Sequence, residues 1–166
     1  MHSEIAIRIA APPDLVFALA HDVERWADLL PHYARSAAVE RRSDGSVIAE
    51  FIAHRPLIGV LGLGLPVTWR SRTWSDGATR RLRFVHLAGA TKGMDVTWHI
   101  EPMRPGEGSL DGCTVTIEHE FAPRLPGMAP FVDRFFTRPI AGRTLATFKS
   151  IAEALQSATA PPTNPS

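Results

Sequence analysis

Two histidines stand on the apolar side of strongly alternating stretches. His119 shares its parity with Cys113, Val115, Ile117 and Phe121, and His86 with Leu82 and Phe84. Alternate residues of a strand face the same way, so both imidazoles are expected among apolar neighbours. Such a histidine is either a hydrogen-bonded core residue or a proton shuttle and ligand contact, since imidazole titrates near neutrality. Trp69 alternates with Ser71 and Thr73, and Trp98 with Met94, Val96 and Ile100. Their wide flat rings suit a core and suit a planar guest on a concave face equally well. Tyr33, the only tyrosine, opens a strand candidate, a place where the ring packs and the hydroxyl usually stays wet.

Other chemistries find no support. His119 has Glu118 and Glu120 beside it but no clustered second His or Cys, and strand neighbours point apart, so no metal site is expected. Gly59, Gly62 and Gly64 have the wrong spacing for a dinucleotide loop, and Pro66 leads into a strand where that loop needs a helix. No Ser-His-Asp or Cys-His arrangement stands out, and Cys113 on an interior face should be inert. No cofactor is implied. A net charge of +1, without an aromatic-interleaved basic run, argues against a nucleic-acid partner. Arg70, Arg72, Arg80, Arg81 and Arg83 are expected on a solvated convex face.

The 166 residues suit one domain with a sizeable core. A single cysteine fits a reducing compartment, and neither a signal-like nor a membrane-spanning apolar run is present, so a cytoplasmic protein is expected. The domain should occupy residues 1–157, with the Pro/Thr-rich remainder, 158–166, disordered.

The elements that must position these side chains follow from periodicity. Ser3–Ala10 alternates as a strand, and Pro12-Pro13 starts a short helix over Asp14–Ala20 that buries Leu15, Val16 and Leu19. Asp22 is placed to cap a second short helix carrying Val23, Trp26, Leu29 and Leu30, which Pro31 ends. Six strands follow, at about 33–42, 47–54, 67–74, 80–87, 92–101 and 113–121, with Asp44-Gly45 and Asp76-Gly77 as hairpin turns. From Pro130 to about Ser157, apolar residues recur at helical spacing, with Phe131 and Phe135, then Leu145, Phe148, Ile151 and Leu155. Pro139 should kink this helix or split off its first turns, and Gly142 should admit a closely approaching backbone.

The order predicts an α+β fold: a curved seven-stranded antiparallel sheet around a long C-terminal helix, with two short helices after the first strand. A sheet gripping one helix leaves an interior pocket. Its candidate lining is Trp69, Ser71, Thr73, Phe84, Met94, Trp98 and Ile117 from the strands, with Phe135 and Phe148 from the helix.

This order resembles the START/Bet v 1-like (SRPBCC) helix-grip superfamily, nearest its polyketide cyclase/dehydrase group and related quinone-binding lipid carriers. The resemblance covers about residues 4–157. It rests on Ala11-Pro12-Pro13 with Val16-Phe17, on Asp22-Val23-Glu24-Arg25-Trp26 running into Leu29-Leu30-Pro31-His32-Tyr33, on Met94 with Trp98, on Ile100-Glu101-Pro102, and on Arg138-Pro139-Ile140-Ala141. It implies a cavity that folds a poly-β-ketone, assists an aldol closure and permits loss of water, through a tyrosine and a strand arginine. The tyrosine carries over to Tyr33. The arginine does not: with Trp69 aligned to the family's tryptophan, Thr73 stands in its place.

Two functions therefore stand side by side. One is a polyketide cyclase/dehydrase (aromatase)-like enzyme using Tyr33 with His119, His86 or a displaced arginine. The other is a non-catalytic carrier of a bulky apolar small molecule, a lipid or a quinone. The apolar stretch 56–66, PLIGVLGLGLP, is read as a cap on the core, as a gate over the pocket, or as a transient contact with a membrane or partner. A monomer and a homodimer are both compatible with the sequence.

Overall fold

The computed structural model describes residues 1–56, 64–104, 111–123 and 127–159. Strand β1 (His2–Ile9) is followed by α1 (Pro13–His21), a 3-10 turn (Val23–Arg25) and α2 (Trp26–Leu29). Strands β2 (Tyr33–Arg41), β3 (Val47–Pro56), β4 (Gly64–Asp76), β5 (Arg81–Gly89), β6 (Asp95–Pro102) and β7 (Cys113–Glu120) come next. The chain ends in α3 (Met128–Val132), a π-helical turn (Asp133–Thr137) and α4 (Arg138–Thr159). The strands form one antiparallel sheet in the order β1-β7-β6-β5-β4-β3-β2. This is the expected helix-grip α+β fold. The middle of the apolar stretch, residues 57–63, and the end of the tail, 160–166, lie outside the described residues. The final helix continues to Thr159, two residues past the expected boundary.

Strand alternation sorts the chain into two faces. Along β7, Cys113, Val115, Ile117 and His119 are buried while the residues between them are half-buried. Along β4, Trp69, Ser71 and Thr73 are buried, and Arg70 is exposed. Arg70 pairs with Glu50, Arg72 with Asp44 and Arg83 with Asp95 on the outer face. A register shift opposite Arg70 and Ser71 skips Leu87 on β5 and leaves the parity of β4 intact. Gly89 ends β5 opposite Trp69 with φ +95°; a Cβ there would lie 2.4 Å from the Thr68 carbonyl oxygen. Only glycine fits that place.

Three local expectations need correction. Asp22 caps through its backbone, since Arg25 N–H donates to the Asp22 carbonyl and the Asp22 side chain makes no capping bond. The buried stripe of α4 is Ala141, Thr144, Leu145, Phe148 and Ala152, while Ile151 is half-buried and Leu155 is 43% exposed. Leu155 lies beyond Ala152, the last buried residue, in the turns that end the helix at Thr159. Gly142 meets no neighbouring backbone: a Cβ built there has nothing within 4 Å. The break before Pro139 is the π turn, which re-spaces carbonyls around a residue with no N–H to give.

Two glycine variants should move stability in opposite directions. Gly142→Ala removes backbone freedom in an open helical position and should raise stability by about 0.5–1 kcal/mol. Gly89→Ala forces a strained φ against Thr68 and should lower it by about 1–3 kcal/mol. Denaturant unfolding measures both; equal effects of one sign would contradict this account.

Candidate functional site

A cavity of about 80 Å³ lies between the concave sheet and the final helix. Its apolar rings include Trp26 of α2, Trp69 of β4, Phe84 of β5 and Trp98 of β6. Met94, Val96 and Ile117 fill the floor, and Ile140, Ala141 and Thr144 descend from the helix. The space is narrow because Trp26 occupies the middle of the interior, 5.6 Å from each of Phe51, Phe84 and Trp98 between ring centroids. It holds a few waters' worth of room, and a larger guest needs the rings to move.

The polar groups lining the cavity carry no formal charge at neutral pH. His86 Nδ1 lies 2.6 Å from Thr91 Oγ1 and its ring stacks on Trp69. Burial, with nearby His119 adding to it, pushes His86 down to about 3. His119 is pushed down to about 4, chiefly by burial, although a backbone hydrogen bond with Ser3 and the charge of Asp133 act the other way. A carbonyl can only accept, so the His119 ring donates to Ser3. Its Nδ1 is buried without a partner, and so is Thr137 Oγ1, on another side chain lining the cavity.

Tyr33 stands on the opposite side. Its phenol is wholly desolvated and pushed well above its ordinary range, despite a hydrogen bond with Thr144. Thr144 Oγ1 donates to the Ile140 carbonyl at 2.9 Å and lies 2.9 Å from His32 Nε2. His32 falls to about 4, through burial first and the Arg143 charge second. Tyr33, Thr144 and His32 thus form one buried polar chain at the helix.

The residues anticipated from sequence separate into groups. Tyr33, His86 and His119 all line this cavity, as do Trp69, Phe84, Met94, Trp98 and Ile117. Ser71 is fully buried but outside the lining, its hydroxyl unpartnered. Thr73 lines a different cleft and donates to the Val47 carbonyl at 3.3 Å. Phe148 packs behind the cavity against Trp26 and Trp98. Phe135 sits on the π turn, its ring 4.8 Å from that of Phe131. Sequence reasoning did not select Trp26, His32, Thr91, Thr137 or Thr144. Thr144 had a usable signal, lying one helical turn from both Ala141 and Phe148.

Cys113 is buried and its thiol is pushed up to about 11. Among the described residues no group of three or more His, Cys, Asp or Glu could hold a metal ion, and no helix is long and apolar enough to cross a membrane.

A family model described as polyketide cyclase/dehydrase and lipid transport matches residues 9–148. A protein from Streptomyces halstedii, provisionally named a polyketide cyclase, is 31% identical over 106 residues, covering 63% of this chain and 92% of its own length. The crystal structure of the ZhuI aromatase/cyclase from a Streptomyces species matches with a TM-score of 0.76 at 20% identity, over 97% of this chain and 99% of that one. Norcoclaurine synthase from Thalictrum flavum, solved with dopamine and hydroxybenzaldehyde, matches with a TM-score of 0.68 at 14% identity, over 97% and 89% of the two chains. At those identities the two structures speak for the fold alone. The matched span of the family model runs from the last residue of β1 into the middle of α4, and this chain belongs to the polyketide cyclase/dehydrase and lipid transport family.

Proposed function

We propose that this chain binds an apolar, polyketide-like molecule in the cavity beneath α4 and assists its cyclisation and dehydration. The observation that carries the reading is that the Nδ1 of His119 and the hydroxyl of Thr137 are both unpaired and buried on side chains lining one aromatic, uncharged space. Unpaired buried polar atoms are rare, and at a cavity they await a partner.

An aldol closure needs a base for the carbon between two carbonyls, a donor for the enolate oxygen, and an acid for the hydroxyl that leaves as water. With one N–H held by Ser3, the His119 lone pair resides on Nδ1, which takes the proton. Thr137 donates a hydrogen bond to one oxygen, and Tyr33 turns to the other the single proton it otherwise gives to Thr144. Tyr33 suits this because its raised pKa keeps it a phenol. An imidazole held near 4 is a weak base in the empty cavity; an enolate forming beside it favours the imidazolium and raises that value. The imidazolium returns that proton to the new alkoxide, making the hydroxyl. His119 then takes the second proton from the same carbon and passes it to the hydroxyl as it leaves as water, so the cavity gains no net charge over the cycle. Thr73 lines the other cleft and is no cation, so the donors here are neutral. A cytoplasmic location accompanies this reading.

A second reading is a carrier of a lipid or quinone without turnover. The wholly uncharged lining favours it, since nothing there discriminates strongly between apolar guests.

Three outcomes are expected. NMR titration with 2-naphthol should shift the amides of Trp69 and Met94 saturably in the wild type, and Ala141→Phe, which fills the cavity, should abolish this. With a soluble linear poly-β-ketone, His119→Asn should lower kcat by about a hundredfold or more while Kd changes by less than about threefold. Intact binding with no wild-type turnover would leave the carrier. The three buried histidines should also make the fold acid-sensitive. Their folded-state values of about 3 to 4 lie below the ordinary 6.5, so the unfolded chain binds more protons between those limits. Their stabilising effect is complete above pH 6.5 and is lost on acidification towards pH 4, by up to about 1.4 kcal/mol per pH unit for each ring. Melting temperatures at pH 7 and pH 5 test this, and His86→Gln should flatten the slope.

A further inference from the structure

A second cavity, of about 240 Å³, lies at the other end of the concave face, beneath the turn joining α1 to α2. It is polar where the first is apolar: Asp22, Glu24, Arg41, Thr73 and Ser75 contribute to its lining, with Arg41 and Glu24 ion-paired. Phe84 lines both cavities.

The strands show how thin the partition is. Along β5, Leu82 lines the second cavity, Phe84 both, and His86 the first. Along β4, Thr73 lines the second and Trp69 the first, with Ser71 between them lining neither. Thr73 and Phe84 are paired across the two strands, as are Ser71 and His86. The partition is therefore one layer of side chains, the Phe84 ring backed by Trp26 at 5.6 Å. Within this layer Ser71 is 0% exposed and its hydroxyl has no partner. A buried unpaired hydroxyl inside an aromatic wall costs stability unless something engages it there. Leu82 to His86 spans on the order of 14 Å, which no bicyclic ring system bridges alone.

We propose that the two cavities are the ends of one binding channel, closed in the free protein by the Phe84 ring. Displacing that ring lets an elongated guest lie past Ser71, which then hydrogen-bonds to it. The guest's aromatic body occupies the first cavity and an oxygen-bearing tail reaches Thr73, Ser75 and Arg41. Phe84 thereby sets the length of guest accepted, a selection that deepens the reading of the first cavity as an aromatic site and rests on it.

Two probes test this: 2-naphthol, and 2-naphthol etherified with triethylene glycol. In the wild type both should shift the amides of Trp69 and Met94, and only the ether should also shift those of Thr73 and Ser75. Phe84→Ala should raise the ratio of the affinity for the ether to that for 2-naphthol about tenfold. Phe84→Leu, a milder truncation that keeps the core filled, should raise that ratio by less. Ser71→Ala should weaken the ether alone. If the ether shifts only the first cavity and no Phe84 variant favours it over 2-naphthol, the channel is wrong while the aromatic site stands. If 2-naphthol shows no saturable shift, the aromatic site itself falls and takes the channel with it.

Discussion

The Trp26 indole holds the interior in place. Its Nε1–H donates to the Ala20 carbonyl at 3.0 Å, tying α2 to the end of α1. Around it stand Tyr33, Phe51, Phe84, Trp98 and Phe148, drawn from three strands, the start of β2 and α4. Edge-on and tilted pairs of this kind contribute about 0.5–1.5 kcal/mol each beyond the area they bury. The ring contacts also set what can be empty. Phe84, which the indole touches, lines both of the cavities described above.

Charge is sorted as strictly as shape. Outside, Arg72 and Arg83 flank the Trp74 ring at 5.3 and 5.2 Å while pairing with Asp44 and Asp95. Exposed pairs like these add little stability, but they keep guanidinium groups out of the interior. In and beside the first cavity, the titratable groups are histidines and a tyrosine that burial holds neutral. A cavity without formal charge admits an apolar guest at little desolvation cost. It also strengthens any charge that develops on that guest during a reaction, since the low dielectric screens it weakly.

The final helix couples the two regions. Its small buried residues, Ala141 and Ala152, let it lie close to the sheet, and Thr144 between them carries the polar chain to His32 and Tyr33. Ahead of it, the π turn brings Thr137 to the cavity and places Asp133 where Ser3 and Arg138 both bond its carboxylate. The irregular turn thus serves the site as well as accommodating Pro139.

From the sequence alone came the elements and their faces. Period-two alternation in β4 to β7 told which side chains turn inward, including His86, His119, Trp69 and Trp98, because the pleat admits two directions only. The helix and its interruption at Pro139 were legible for the same reason, as periodicity and a missing N–H are local properties. Where an inward side chain meets its partners was not local. Thr73 and Trp69 share a face yet line different cavities, because parity fixes direction and says nothing of position along the strand. His32 and Thr144 are 112 residues apart, and only the crossing of α4 over the sheet joins them. Trp26 sits on a helix of four residues, too short to show a period, so its central place was decided by how strands β1 and β2, at opposite edges, are bridged across the concave face.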